Sequence, residues 1–357
     1  MECGIVGLPG VGKTTLFNAL TGSHAPGGGG GGLKPNVGVA KIPDPRLGTI
    51  ASFIPTKKII NATIQFVDIP GVAPGSGASG ATKLNAFMAH VRQVDAICHV
   101  VRCFDDGSGK IDPIGDIDKM DTELIIADLQ VAESALDKAS RAARAADADA
   151  KARVAVLEKA MASLNEGKPI RSVTGWSEAE FSILKSYGMI TSKPVLYVAN
   201  VGEDDLAGTS SHAQTVMKHA QATGGQAVAV CAKLEAELAE LDEADRGEML
   251  QSMGLAEPAI GPLARAVNAL LGLACFYTAG EKEVRAWPIR QGATAPQAAG
   301  VIHSDIERGF IRAECFLVDD LVKYTSEKGI REAGKLRSEG KNYQMRDGDV
   351  VHFLFNV

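Results

Sequence analysis

Residues 4–22 read GIVGLPGVGKTTLFNALTG. Within them Gly7-Leu8-Pro9-Gly10-Val11-Gly12-Lys13-Thr14 fits G-x-x-x-x-G-K-[ST] at every constrained position. The match lies between a short apolar run at residues 3–6, read as a buried strand, and an apolar-periodic segment at 14–20, read as a helix. A phosphate-cradling loop needs that context. Its glycines let backbone N–H groups face phosphate oxygens, Lys13 reaches the β and γ oxygens, and the Thr14 hydroxyl is a Mg²⁺ ligand. The helix N-terminus adds its dipole. Pro9, Gly10, Val11, Gly12, Lys13, Thr14 and Thr15 are therefore the candidate phosphate-binding residues.

Beyond this loop, ATIQFVDIPG (62–71) reads as a strand running into a turn, and VDAICHVVRCF (94–104) as a fully apolar strand. KPVLYVANVGEDD (193–205) and QAVAVCAKLEAEL (226–238) supply a further strand each, the second followed by a helix. Apolar strands alternating with helices predict an α/β fold with a parallel sheet covered on both faces. Six consecutive glycines at 27–32, and the stretch APGSGASGA at 73–81, predict flexible loops. From about residue 121 to 165 the chain is rich in Ala, Lys, Arg, Glu and Asp without Gly or Pro until 166–169, which predicts two long helices forming an antiparallel hairpin or coiled-coil arm. After residue 276 short strand patterns and a helix near 295–302 predict a small α+β domain.

Asp68 closes the strand ahead of Ile69-Pro70-Gly71, where a carboxylate holds Mg²⁺ directly or through water and the Gly71 N–H can meet a γ-phosphate. Lys13, Asp68 and Gly71 are the candidate catalytic residues, and Thr14 with Asp68 the candidate metal ligands. Val72 stands where some related hydrolases place a water-orienting glutamine, so hydrolysis is expected to be slow alone or to depend on a partner. Asn200-Val201-Gly202-Glu203 occupies the place of the guanine-reading Asn-Lys-x-Asp, with Val201 for lysine and Glu203 for aspartate. Asparagine pairs bidentately with adenine in nucleic-acid readout. That favours ATP with GTP tolerated, the alternative being that Asn200 ties loops around either purine. Cys231-Ala232-Lys233 completes the candidate base pocket.

The 357 residues carry 37 Lys and Arg against 43 Asp and Glu, a net charge of −6, which excludes a polycation coating nucleic acid along its whole length. Six scattered cysteines with no CxxC pair argue against a zinc site or a disulfide framework. No apolar run reaches the length of a membrane span, and the expected location is cytoplasmic.

These stretches together resemble the Obg-like ATPase, or YchF, family over essentially the whole chain. Besides the phosphate loop, the resemblance rests on KPNVGVAKIPDPRL, FVDIPG, VDAICHVVRCF, TELIIADL, KPVLYVANVGE, AKLEAELAEL and the C-terminal EGKNYQMRDGDVVHFLFNV. It implies a Ras-like P-loop NTPase domain with an inserted helical coiled-coil arm and a small α+β, ubiquitin-like TGS domain. The corresponding spans are 1–125 and 191–275 for the NTPase, 126–190 for the arm and 276–357 for TGS. It also implies ATP hydrolysis with Mg²⁺, ribosome association through the large subunit or the whole particle, and a regulatory role in translation or stress. The Asn-x-x-Glu pattern is itself a family mark that goes with ATP. The arm and TGS domain are the expected partner surfaces, with Arg141, Arg144, Lys151 and Arg153 placed to meet rRNA phosphates, or else forming a solvated face of mixed charge. Two departures stand out: a glycine run replaces the family's threonine-containing segment before PNVGV, and the 105–113 loop lacks the family's histidine. A GTP-dependent switch, and a binding module with nucleotide as a structural ligand, are the competing readings.

Overall fold

The computed structural model describes residues 1–25, 34–71, 77–107, 109–144 and 147–356. The glycine run at 27–32 and Val72 lie outside the described residues. In chain order the strands are β1 (Glu2–Val6), β2 (Asn36–Ile42), β3 (Ile59–Ile60), β4 (Ala62–Asp68), β5 (Ala96–Arg102) and β6 (Val195–Asn200). Then come β7 (Gln226–Val230), β8 (Leu273–Ala279), β9 (Val284–Arg290), β10 (Phe310–Leu317), β11 (Arg337–Glu339) and β12 (Asp349–Phe355). Two compact units emerge: Met1–Val39 with Gln65–Leu263, and Ala40–Ile64 with Ala264–Val357.

The first unit is built on a six-stranded sheet in the order β2-β4-β1-β5-β6-β7. β4, β1, β5, β6 and β7 run parallel. β6 is buried at every residue and β5 at all but its last, whereas β2 at the edge alternates between covered and exposed positions. This is the burial expected of a sheet flanked by helices on both faces. A parallel sheet delivers the loops that follow its strands to one edge, and the candidate site is assembled there. The glycine-rich stretch at 73–81 departs from its expectation: a helix over Gly77–Gln93 takes up its second half, while residues 72–76 lie outside the described residues.

The arm has identifiable start signals. Asp112 accepts a hydrogen bond from Gly115 N–H and Pro113 takes the first helical position, opening a 31-residue helix, Pro113–Ala143. Asp147 caps the returning helix, Ala148–Asn165, through the N–H groups of Asp149 and Ala150. Ala132, Ala135 and Ala139 of the first helix pack against Val156, Leu157, Ala160 and Leu164 of the second, the small side chains letting the helices lie close. Asp128 is fully buried, and its carboxylate accepts from Ile190 N–H, Thr191 N–H and the Thr191 hydroxyl, fixing the base of the arm to the segment that enters β6.

The second unit carries a sheet in the order β11-β10-β12-β8-β9-β3. Helix Ala295–Ile302 packs Ala295, Ala298 and Ala299 into a core with Phe276, Ile289, Phe310, Ala313 and Phe353. The segment 40–64 is tied in by Arg46, which spans Asp44 and, at 2.6 Å, Asp347. Tyr277 also donates its hydroxyl to Asp44.

All six cysteines are free and buried. Burial pushes the Cys98, Cys103, Cys275 and Cys315 thiols up to about 12, so they are inert packing residues. Among the described residues no helix is long and apolar enough to cross a membrane.

His99 on β5 is 3% exposed beside the Tyr197 ring. Burial lowers its pKa from 6.5 to about 4. The unfolded chain therefore binds a proton that the folded one refuses between those values, and stability falls as pH falls through that window. The full effect is about 3 kcal/mol. In His99→Leu, urea unfolding at pH 7 and pH 4 should show this dependence removed; an unaltered dependence would assign it elsewhere. Leu157→Ala, which empties a fully buried position in the arm, should cost about 2–5 kcal/mol by the same method.

Candidate functional site

Gly12 closes the phosphate loop in the left-handed region (φ 92°) and is the N-cap of helix Lys13–Thr21. A Cβ there would lie 2.3 Å from Asn200 Nδ2, so both backbone shape and space demand glycine. The first intrahelical bond runs from Leu16 N–H to Gly12 C=O, no side chain caps the helix, and its first turn holds no acid. The N–H groups of that turn are free to receive an anion. Pro9, Gly10 and Thr15 are exposed beside them, and Val11 is buried.

Lys13 is 8% exposed and donates to Leu8 C=O at 2.7 Å, folding back over its own loop. Burial lowers its pKa to about 8, while the Asp68 carboxylate pulls the other way. Gly71 lies directly above it. A Cβ on Gly71 would come 2.6 Å from Lys13 Nζ and 2.8 Å from Gly7 C=O, so only glycine lets the chain pass there. The Thr14 hydroxyl donates to Asp68 Oδ2 at 2.9 Å, and Asn36 Nδ2 donates to the same oxygen at 3.2 Å. Asp68 Oδ1 is buried and has no hydrogen-bond partner among the described residues. Asn36, at the start of β2, belongs to this group; it lies in the KPNVGVAKIPDPRL stretch that carries the family resemblance, but nothing in that stretch gives it a role at the site.

Hard oxygen donors, one of them an orphaned buried carboxylate oxygen, fit Mg²⁺, which binds through one or two protein oxygens plus phosphates and water. Among the described residues no cluster of three His, Cys, Asp or Glu suits a metal, so the substrate's own oxygens would have to complete the shell.

On the other side of the loop, Asn200 is 4% exposed. Its Nδ2 donates to Val11 C=O at 2.8 Å and its Oδ1 accepts from Ala232 N–H at 3.0 Å. The side chain thus bridges the phosphate loop and the loop after β7, with one N–H and one oxygen lone pair uncommitted. Val201 directs its side chain into the core, 2% exposed, and pairs its N–H with Val230 C=O. Glu203 and Lys233 face each other across the pocket rim, Nζ to Oε1 at 2.7 Å, both substantially exposed. Cys231 and Ala232 are buried at the start of helix Ala232–Glu240. His99 is buried on β5 beside Tyr197, and none of the hydrogen bonds described for this group involves it.

Asn200→Ala would leave Val11 C=O and Ala232 N–H without that bridge. The expected cost is about 1–3 kcal/mol, read as a lowered melting temperature without nucleotide. An unchanged melting temperature would mean the bridge carries no stability.

Comparison with known proteins finds relatives along the whole chain. Residues 2–136 match the family described as "50S ribosome-binding GTPase". Residues 273–356 match YchF-GTPase_C, described as a protein of unknown function (DUF933). The Ribosome-binding ATPase YchF of Haemophilus influenzae is 46% identical over 363 residues, covering all of this chain and 99% of that protein. Its namesake from Bacillus subtilis is 43% identical over 366 residues, with both chains fully covered. The solved structure of the Schizosaccharomyces pombe YchF GTPase superimposes with a TM-score of 0.86 at 32% identity, covering 99% of this chain and 97% of that one.

Proposed function

The chain belongs to the YchF family, and from that premise we propose that it is a ribosome-associated enzyme hydrolysing ATP to ADP and phosphate. The observation that carries the reading is the Lys13, Thr14 and Asp68 group at an uncapped helix N-terminus, with Asp68 Oδ1 left open. Phosphoryl transfer needs positioning and charge neutralisation more than covalent chemistry. Backbone N–H groups from Gly10 to Thr15 hold the phosphates. Lys13 leaves Leu8 C=O for the β and γ oxygens, where an anionic ligand favours its protonated form further. Gly71 offers its N–H to the γ-phosphate. Thr14 and Asp68 would hold Mg²⁺, which when bound neutralises the phosphate charge. None of the residues in this group acts as a general base, so water orientation falls to a partner, and the ribosome is the expected source. Arg141, Arg144, Lys151 and Arg153, all exposed near the end of the arm, are the candidate rRNA contacts, although Asp137, Asp147 and Asp149 are interspersed. The C-terminal unit, as a TGS domain, is the second partner surface, and the protein acts in the cytoplasm.

ATP is favoured over GTP by the Glu203–Lys233 pair. Guanine recognition asks a carboxylate to accept from two N–H groups at once, and here Lys233 already occupies Glu203 Oε1. The competing reading is GTP hydrolysis, in keeping with the name YchF GTPase carried by the S. pombe protein. Calorimetry with ATP and GTP in Mg²⁺ separates them; a tenfold preference is about 1.4 kcal/mol. Glu203 and Lys233 variants suit this test better than Asn200→Ala, which disturbs the phosphate loop whichever base is bound. ATP should bind at least tenfold tighter, and Lys233→Met with Glu203→Asp should narrow the gap; tighter GTP binding by the wild type would overturn the assignment.

Lys13→Ala should lower turnover by about 10²-fold or more, the scale seen when one charge-stabilising donor is removed. Added ribosomes should raise wild-type turnover. A rate indifferent to both would leave the nucleotide as a structural ligand.

A further inference from the structure

We infer that Asn36 is a positioning residue for the divalent cation: it locks the Asp68 carboxylate so that Oδ1 faces the ion's shell. The inference rests on the reading of the site as a Mg²⁺–nucleotide site.

A carboxylate has a broad, roughly two-fold torsion about its last bond, so its two oxygens are interchangeable unless something distinguishes them. Thr14 alone does not fix which oxygen is free, because its hydroxyl rotates to follow whichever is near. The Asn36 amide is a directional donor from a different element. It reaches Asp68 Oδ2 from the start of β2, while Thr14 reaches the same oxygen from the start of the helix. Two donors on one oxygen pin the carboxylate plane, and the remaining oxygen is buried with no donor to it among the described residues. A buried acceptor left open costs about 1–3 kcal/mol, and the arrangement persists in a site otherwise rich in donors.

The pairing also leaves Thr14 able to act. A hydroxyl has one proton and two lone pairs, so Thr14 can keep its proton on Asp68 Oδ2 and present a lone pair to a cation. Asn36 meets Asp68 through its amide N–H, which is a donor and binds no cation. Its part is therefore to orient the ligand rather than to be one. Outer-shell partners of this kind change metal affinity by about 10–100-fold when removed.

The test replaces the donor by an apolar side chain of similar size, Asn36→Leu. ADP and ATP affinities are measured by calorimetry in EDTA and across a Mg²⁺ titration, and the melting temperature is taken in EDTA without nucleotide. The expected result is an affinity in EDTA within about twofold of wild type, with roughly tenfold more Mg²⁺ needed for half-maximal enhancement. Equal losses with and without Mg²⁺ would make Asn36 a structural support of the loop, and an unchanged titration would make its hydrogen bond idle; either overturns the inference. If Asn36→Leu does not fold, Asn36→Ser, shorter and polar, is put through the same titration with the same two overturning results. A wild-type protein that binds no nucleotide, or whose binding ignores Mg²⁺, would sink the reading of the site itself.

Discussion

The Asn200 side chain is the fastening on which the site depends. Five parallel strands bring their loops to one sheet edge, yet loops at an edge have no reason to keep a fixed spacing. One buried amide supplies it, donating to Val11 C=O on one side and accepting from Ala232 N–H on the other. The fit is close enough to dictate a neighbour: Gly12 must be glycine because its Cβ would strike that same amide nitrogen. The turn that points backbone N–H groups at a phosphate and the residue that braces it are therefore one unit.

This placement bears on base selection. An amide already committed to two backbone groups keeps a single N–H and a single lone pair, and any purine site built around it inherits the same brace. Discrimination then moves outward to Glu203 and Lys233. An exposed ion pair contributes little stability, typically under about 1 kcal/mol. Its bearing on the proposed choice of base is therefore geometric: with Lys233 on Oε1, the carboxylate that would face guanine is already turned toward a cation.

The phosphate loop, Asp68 and the buried strands were legible in the sequence because their signals are local: a spacing of eight residues, or an unbroken apolar run between glycines. The arm was legible through composition, although its first helix begins at Pro113, ahead of residue 121 where the composition changes. Three features were not. Helix Gly77–Gln93 begins inside a stretch whose glycines and serines suggest a loop, and only tertiary packing decides such a case. The Asn36 hydrogen bond spans 32 positions, and nothing near Asn36 betrays its partner. Segment 40–64 joins the C-terminal unit through Asp44, Arg46, Tyr277 and Asp347, groups separated by more than two hundred residues.

The buried acids give a last reason to place the chemistry where the motif puts it. Asp128 divides three donors between its two oxygens, Asp349 takes Arg337 on one oxygen and Tyr343 and Arg346 N–H on the other, and Glu235 takes Ala259 N–H and Ile260 N–H. Each is a structural carboxylate, matched by the chain to the limit its burial requires. Asp68 is buried like them but has both its donors on one oxygen. A fold that satisfies its other buried acids so fully has donors to spare for a fourth. The open oxygen of Asp68, beside an uncapped helix and a folded-back lysine, is the feature on which the proposed Mg²⁺–nucleotide site rests.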